Sequence, residues 1–177
     1  MGHINIEIKA RTNNQDFIRN ILKERKADFK GIDHQIDTYF NTSSGKLKYR
    51  QGNIENALVY YERENKTGPK QSKTHLFQTN DTQLRKLLKE ALGVLVVVDK
   101  KREIYFIDNI KFHLDIVNNL GTFVEIEARD TEGTLGKDKL LKQCQEYLKA
   151  FDIKESDLIP ISYSDLLLEK AEYGYRH

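Results

Sequence analysis

INIEIKAR (4–11) alternates without a break. Read as a β-strand, it places Ile4, Ile6, Ile8 and Ala10 on one face and Asn5, Glu7, Lys9 and Arg11 on the other. The same division recurs along the chain. KLKYRQ (46–51) offers Lys46, Lys48 and Arg50 on one side, and ALVYYEREN (57–65) offers Arg63 beside Tyr61. VLVVVDKKREIYFI (94–107) offers Lys100 and Arg102, and IKFHLDIV (110–117) offers Lys111, His113 and Asp115. TFVEIEAR (122–129) offers Glu125, Glu127 and Arg129. In strand after strand the opposite face is Ile, Leu, Val, Phe or Ala.

Two arrangements suit such strands. The apolar face can sit on a core with the charged face in water. Alternatively the charged faces line a closed barrel, and the apolar faces look outward beneath helices. A solvated face would mix Ser, Thr, Gln and Lys. The set here is narrower: paired Lys and Arg on some strands, carboxylates two apart on another. That bias favours a polar interior. Buried like charges are costly unless paired or met by a ligand, so a basic lining with one acidic cluster fits a polyanion with a divalent cation.

The remaining segments supply more strands and the helices. HQIDTYF (34–40) and THLFQ (74–78) read as strands, and KTGPKQSK (66–73) as a lysine-rich Gly-Pro loop, either a solvated hairpin or a lid. Residues 13–29 carry Phe17, Ile18, Ile21 and Leu22 at helical spacing, with Asn13 or Asn14 as the cap. A second helix begins at Asn80 or Asp81 and ends at Gly93. The third carries Leu140, Leu141, Cys144, Tyr147, Leu148 and Phe151 on one stripe, and a last short one spans Tyr163 to Ala171. The fold class expected is α+β, mainly β, an antiparallel barrel or sandwich decorated by helices, with a helical C-terminal segment at about 137–172. No repeat or linker divides residues 1–177, so one domain is expected.

Composition excludes several classes. The chain has 177 residues, 32% charged and 38% hydrophobic, with a net charge of only +2. Nucleic-acid binding by basic excess is therefore not expected, and carboxylates among the arginines argue against a single-stranded RNA barrel. One cysteine allows no internal disulfide, and LGVLVVV (92–98) is far too short for a membrane span. A cytoplasmic location and no membrane partner are expected. His34, His75 and His113 lack metal-ligand spacing and read as surface or structural residues, and Cys144 reads as core. GPKQS is not a P-loop.

An N-terminal E-x-K strand, successive basic strands and then D…E-x-E resembles the CYTH domain of the triphosphate tunnel metalloenzymes. The segments HQIDTYF, LKYRQGN, TGPKQS and TFVEIEA look most like its bacterial class IV adenylyl cyclase branch. The resemblance implies a closed eight-stranded antiparallel β-barrel around a triphosphate. It implies Mg²⁺ or Mn²⁺ as cofactor on Glu7, Glu125 and Glu127. The triphosphate oxygens would fall to Lys9, Arg11, Lys48, Arg50, Arg63, Lys100, Arg102 and Lys111, and Lys9 and Asp115 are the candidates for proton transfer. The first glutamate of the family's E-x-E-x-K signature is Asn5 here, which offers a neutral oxygen in place of a charge. The activity implied is conversion of ATP to cyclic AMP and pyrophosphate. Hydrolysis of tripolyphosphate, thiamine triphosphate or a nucleoside triphosphate is the alternative, and non-catalytic binding of polyphosphate or nucleotide a further one. Family members are often dimers, so a homodimer is also an expectation.

Overall fold

The computed structural model describes residues 4–63 and 66–174. Eight strands run β1 (Ile4–Arg11), β2 (Asp28–Phe40), β3 (Lys46–Gln51), β4 (Ala57–Arg63), β5 (Lys70–Gln78), β6 (Val94–Ile107), β7 (Ile110–Val117) and β8 (Gly121–Asp130). They close into one barrel in the order β1-β5-β4-β3-β2-β6-β7-β8, every neighbouring pair antiparallel. The barrel, not the sandwich, is therefore the arrangement adopted. Four helices accompany it: α1 (Gln15–Glu24), α2 (Thr82–Leu92), α3 (Lys137–Ala150) and α4 (Tyr163–Gly174).

The main hydrophobic core lies outside the barrel wall. Ile6, Ile8 and Ala10 of β1 join Ile110, Phe112 and Leu114 of β7 and Val124, Ile126 and Ala128 of β8. Against this face pack Ile18 and Leu22 of α1, Leu140, Cys144 and Tyr147 of α3, and Phe151 just beyond α3. Phe112 is met edge-on by Tyr147 at 4.6 Å and Phe151 at 5.8 Å. Fully burying one such side chain contributes about 1.5–3 kcal/mol. This face is why the alternating register is fixed, since a one-residue slip would turn the apolar row inward and the charges out. Cys144 is fully buried in this core, as its place on the α3 stripe implies.

Element boundaries differ from the sequence reading in places with local causes. The first helix starts as expected, with the Asn14 side chain accepting from the Phe17 amide. It stops short of residue 29 because Lys26 takes a positive φ of 57°, and the Ala27 amide bonds back to the Leu22 carbonyl. Residues 28–33 then extend β2 by pairing with β6, which lengthens the strand beyond HQIDTYF. Asp81 caps α2 by accepting from the amides of Gln83 and Leu84. The lysine-rich stretch 66–73 is only partly a loop: Lys70 already pairs with Glu7 of β1, and Lys73 with Glu62 of β4. The last two residues of ALVYYEREN, 64 and 65, lie outside the described residues.

Candidate active site

Because the apolar rows face the helices, the alternate rows converge inside the barrel. Glu7 and Lys9 come from β1, Asp37 and Tyr39 from β2, Lys46, Lys48 and Arg50 from β3, and Tyr61 and Arg63 from β4. Lys70 comes from β5, Lys100 and Arg102 from β6, Lys111, His113 and Asp115 from β7, and Glu125 and Glu127 from β8. Lys9, Asp37, Lys70, Lys100, Arg102, His113 and Asp115 are all buried.

Asp37 and Asp115 are each shared among several donors. Asp37 takes two bonds of 2.8 Å from the Arg50 guanidinium, one of 3.0 Å from Lys48 and one of 2.8 Å from Lys100. Burial, the largest single influence, pushes the Asp37 carboxyl up, yet Arg50, Lys100 and Lys48 together hold it well below its ordinary value. Asp115 accepts two bonds of 2.7 Å from Arg102 and a third of 2.7 Å from the Tyr163 hydroxyl. Arg63 donates to Glu7 at 2.6 Å. Lys9 and Arg102 stand 3.9 and 3.7 Å from Glu125 Oε2.

Two further segments of the chain add side chains to the channel, one at each end. At one end Gly52 lets residues 52–56 pass against Asp33, for a Cβ there would fall 2.5 Å from Asp33 Oδ1. Asp33 accepts the amides of Ile54 and Glu55 at 2.9 Å each, which aims the Glu55 carboxylate inward. It accepts a short bond from Lys111 and others from Arg50 at 3.2 Å and Gln35 at 3.1 Å. At the other end the segment leading into α4 lies across the opening. The Ile159 amide bonds the Lys9 carbonyl, and Lys70 donates to the carbonyls of Ile159 and Pro160. Lys46 reaches Ser162, Ser164 and Asp165. Tyr163 itself enters the barrel, packing on Phe123 at 4.9 Å with the Lys9 ammonium 3.9 Å above its ring. Burial lowers Lys9 to about 8, with Glu125 opposing, and lowers Lys70 to about 8. These ammonium groups are held dry, where an anion would bind them more strongly than in water.

The acidic end is strained by like charge. Glu7 and Glu127 are register partners. Burial pushes the Glu127 carboxyl up to about 7, with Glu7 and Glu125 adding to it. His113 lies opposite Glu125 in the β7–β8 register, 97% buried, and neither ring nitrogen has a hydrogen-bond partner. Its Nδ1 is 3.8 Å from Glu125 Oε1, too far for a hydrogen bond. Burial, with Arg102, lowers it to about 4. Hard carboxylate oxygens repelling one another across a buried seam are a donor set suited to a small dication. Among the described residues no three such side chains are already gathered into a metal cluster.

Of the sequence candidates, Glu7, Lys9, Lys48, Arg50, Arg63, Lys100, Arg102, Lys111, Asp115, Glu125 and Glu127 meet in the channel. Arg11 does not: it is exposed at the rim, bonded to the Leu120 carbonyl at 3.0 Å and stacked over Phe123 at 4.8 Å. It borders the larger surface depression of about 470 Å³ between Asn119, Leu120 and α4, outside the barrel. The gap inside the channel, lined by Glu7, Ile8, Lys9, Arg63, Lys70 and Glu125, is too tight to admit a water-sized molecule. His34 and His75 are exposed, while His113 is buried on the inward row that its strand's alternation gave it. Neither Glu55 nor Tyr163 carried such a signal, since both come from segments without strand alternation.

The family model for the CYTH domain matches residues 3–163. A Methanocaldococcus jannaschii protein named "Putative adenylate cyclase MJ0240" is 28% identical, covering 92% of this chain and 98% of its own. The structure of the Pyrococcus horikoshii protein PH1012 superposes with a TM-score of 0.76 at 27% identity, over 92% of this chain and 98% of that one. A Hippeastrum protein, described as a putative adenylyl cyclase with a dominant triphosphatase activity, shares the fold at a TM-score of 0.65 and 14% identity, over 96% of each chain. A closed eight-stranded barrel with its charged residues turned inward, matched by one family model over nearly its whole length, places this chain in the CYTH domain family.

Proposed function

We propose that this protein is a metal-dependent enzyme that converts ATP to cyclic AMP and pyrophosphate in the barrel channel, with hydrolysis of an inorganic or organic triphosphate as the alternative chemistry of the same site. The observation that supports a triphosphate is the convergence of Lys9, Lys48, Arg50, Arg63, Lys100, Arg102 and Lys111 on one dry channel. In the resting state their charges are answered by the chain's own carboxylates. A triphosphate would replace Glu55 on Arg50 and Lys111, and compete with Asp37 for Lys48 and Lys100.

Mg²⁺ or Mn²⁺, held by Glu7, Glu125 and Glu127, would supply Lewis-acid stabilisation of phosphate oxygens and activate the attacking oxygen. The protein's own groups do the rest. Arg50 and Arg102, fixed by two-bond contacts to Asp37 and Asp115, present rigid guanidinium edges to oxygens whose charge rises in the transition state. Asp115 is a poor proton acceptor, because both of its oxygens are engaged and its carboxyl is held low. Its role in this reading is to aim Arg102. Lys9 neutralises substrate charge beside Glu125. In cyclisation the ribose 3′-oxygen bonds to the α-phosphorus, the α–β bridging bond breaks, and pyrophosphate leaves with the electron pair and carries off the hydroxyl proton.

The test is product analysis with purified protein, Mn²⁺ or Mg²⁺, and ATP or tripolyphosphate in separate reactions. Cyclic AMP and pyrophosphate in equal amounts from ATP is the expected result. Orthophosphate from tripolyphosphate, with no cyclic AMP, selects the alternative. No turnover of ATP, of tripolyphosphate or of thiamine triphosphate assayed in the same way overturns the enzymatic reading.

A further inference from the structure

Tyr163 is the first residue of α4, yet its side chain is only 5% exposed and reaches two groups of the channel. Its hydroxyl donates to Asp115 Oδ2 at 2.7 Å, the oxygen that also takes the Arg102 Nη2 bond at 2.7 Å. Arg102 Nε holds the other oxygen, Oδ1. A two-bond contact fixes the guanidinium and the carboxylate relative to each other, but it leaves them free to swing as a pair. A third bond, from a different element, removes that freedom. Burial, with Asp115 and Glu125, holds the phenol well above its ordinary 10, so it stays a donor.

The ring has its own partner. The Lys9 ammonium stands 3.9 Å from its centroid, and Phe123 backs it at 4.9 Å. An aromatic face attracts a dry ammonium without taking an N–H from it. Lys48 and Lys100, in contrast, each give an N–H to Asp37. Glu125, the nearest carboxylate to Lys9, is 3.9 Å away, beyond a hydrogen bond. The chain just before Tyr163 is tied to the same wall: the Ile159 amide bonds the Lys9 carbonyl at 2.9 Å, and Lys46 donates to Ser162 at 2.6 Å.

We propose that Tyr163 is a positioning residue for the triphosphate reaction: its hydroxyl pins the Asp115–Arg102 pair, and its ring seats the Lys9 ammonium. The start of α4 is then part of the active site. This rests on the proposed function and deepens it. The two halves act at different stages. Aiming Arg102 serves the oxygens whose charge rises in the transition state, so the hydroxyl is read in kcat. Seating Lys9 serves the bound triphosphate, so the ring is read in KM.

The experiment measures both constants for wild type, Tyr163→Phe and Tyr163→Leu, on whichever of the assayed triphosphates wild type turns over. Tyr163→Phe keeps the ring. It is expected to lower kcat on the order of 10-fold, as for one lost hydrogen bond to a charged group, with KM little changed. Tyr163→Leu is expected also to raise KM, about 10-fold. In Arg102→Lys, whose side chain no longer spans Asp115, adding Tyr163→Phe is expected to cost kcat nothing further. A merely structural tyrosine would instead multiply the two losses. A multiplicative double variant, or wild-type kcat in Tyr163→Phe, overturns the inference and leaves the proposed function standing. Thermal melts check folding, and Tyr163→Met serves if Tyr163→Leu does not fold. If wild type turns over nothing, the proposed function falls, and tripolyphosphate affinity by calorimetry decides the seating of Lys9. Weaker binding by Tyr163→Leu but not by Tyr163→Phe supports it. Equal binding by all three, or none by wild type, overturns it.

Discussion

Glu7 and Glu127 stand directly opposite each other across the β1–β8 pairing, inside the barrel. Like charges placed so are destabilising. Glu7 is answered by Arg63 at 2.6 Å, while burial and the two neighbouring glutamates leave Glu127 needing a proton or a cation. The seam stores a demand for positive charge at the place where the family resemblance puts the metal.

That demand has a pH signature. The Glu127 carboxyl is raised from its ordinary 4.5 to about 7 in the folded protein. Between those values the native state keeps a proton that the unfolded chain has lost. The associated stability is therefore fully present below about 4.5 and is lost as pH rises through about 7, a change of about 3 kcal/mol. Melting of the metal-free protein should weaken between pH 6 and 8 more steeply in wild type than in Glu127→Gln. Mn²⁺ at pH 8 should restore the wild-type melting temperature and do little for the variant, which should also lack metal-dependent turnover. Parallel pH slopes would place Glu127 in contact with water.

Asp37 carries the opposite role, holding three cations in place. Removing it as Asp37→Asn leaves Lys48 and Lys100 without their carboxylate and Arg50 with Glu55 alone, which is expected to cost about 3–5 kcal/mol. Tripolyphosphate should recover more stability in this variant than in wild type, because it supplies the lost charge to the same ammonium and guanidinium groups. Calorimetric melts with and without tripolyphosphate measure both effects. A variant that melts like wild type would show that these cations do not depend on Asp37.

How much of this could be read from the chain follows from which signal each residue carries. Alternation on β1, β3, β7 and β8 identified the charged rows, because period two is visible wherever one face is uniformly apolar. Which way those rows faced depended on barrel closure, which no single strand reveals. Lys70 was assigned to a loop because Gly68 and Pro69 mask the start of β5. Glu55 was invisible because its inward aim is set by Asp33, 22 residues earlier, through backbone amides. Tyr163 sits at the first turn of α4, where it reads as an ordinary helical aromatic; only the path of residues 158–162 across the barrel mouth carries it onto Asp115.

Arg102 tests whether shape matters as well as charge. Its guanidinium spans both oxygens of Asp115, a geometry that an ammonium cannot reproduce. Arg102→Lys keeps the charge and loses the fixed edge. Turnover is expected to fall on the order of 10²–10³-fold, in the range seen for single oxyanion donors, with substrate affinity changed much less. Steady-state kinetics separate kcat from KM, and a variant that alters KM alone would assign Arg102 to ground-state binding.

Glu55 offers the sharpest contrast, because removing a carboxylate should improve binding. Its carboxyl is buried enough that desolvation pushes it up, but Lys111 and Arg50 more than offset this and hold it far below its ordinary value. It stays ionised at neutral pH and occupies two cations that a triphosphate needs. Glu55→Gln removes the competing charge and keeps a side chain of nearly equal size, so Lys111 and Arg50 meet the incoming anion without first giving up a partner. Tripolyphosphate should bind the variant about 10-fold more tightly, a difference of about 1.4 kcal/mol. The metal-free variant should be less stable than wild type, since Lys111 loses its hydrogen-bonded carboxylate and Arg50 keeps only Asp37. Titration calorimetry reads the affinity and thermal melting the stability. Weaker tripolyphosphate binding in Glu55→Gln would show that Glu55 orients these cations for the ligand, not that it competes with it.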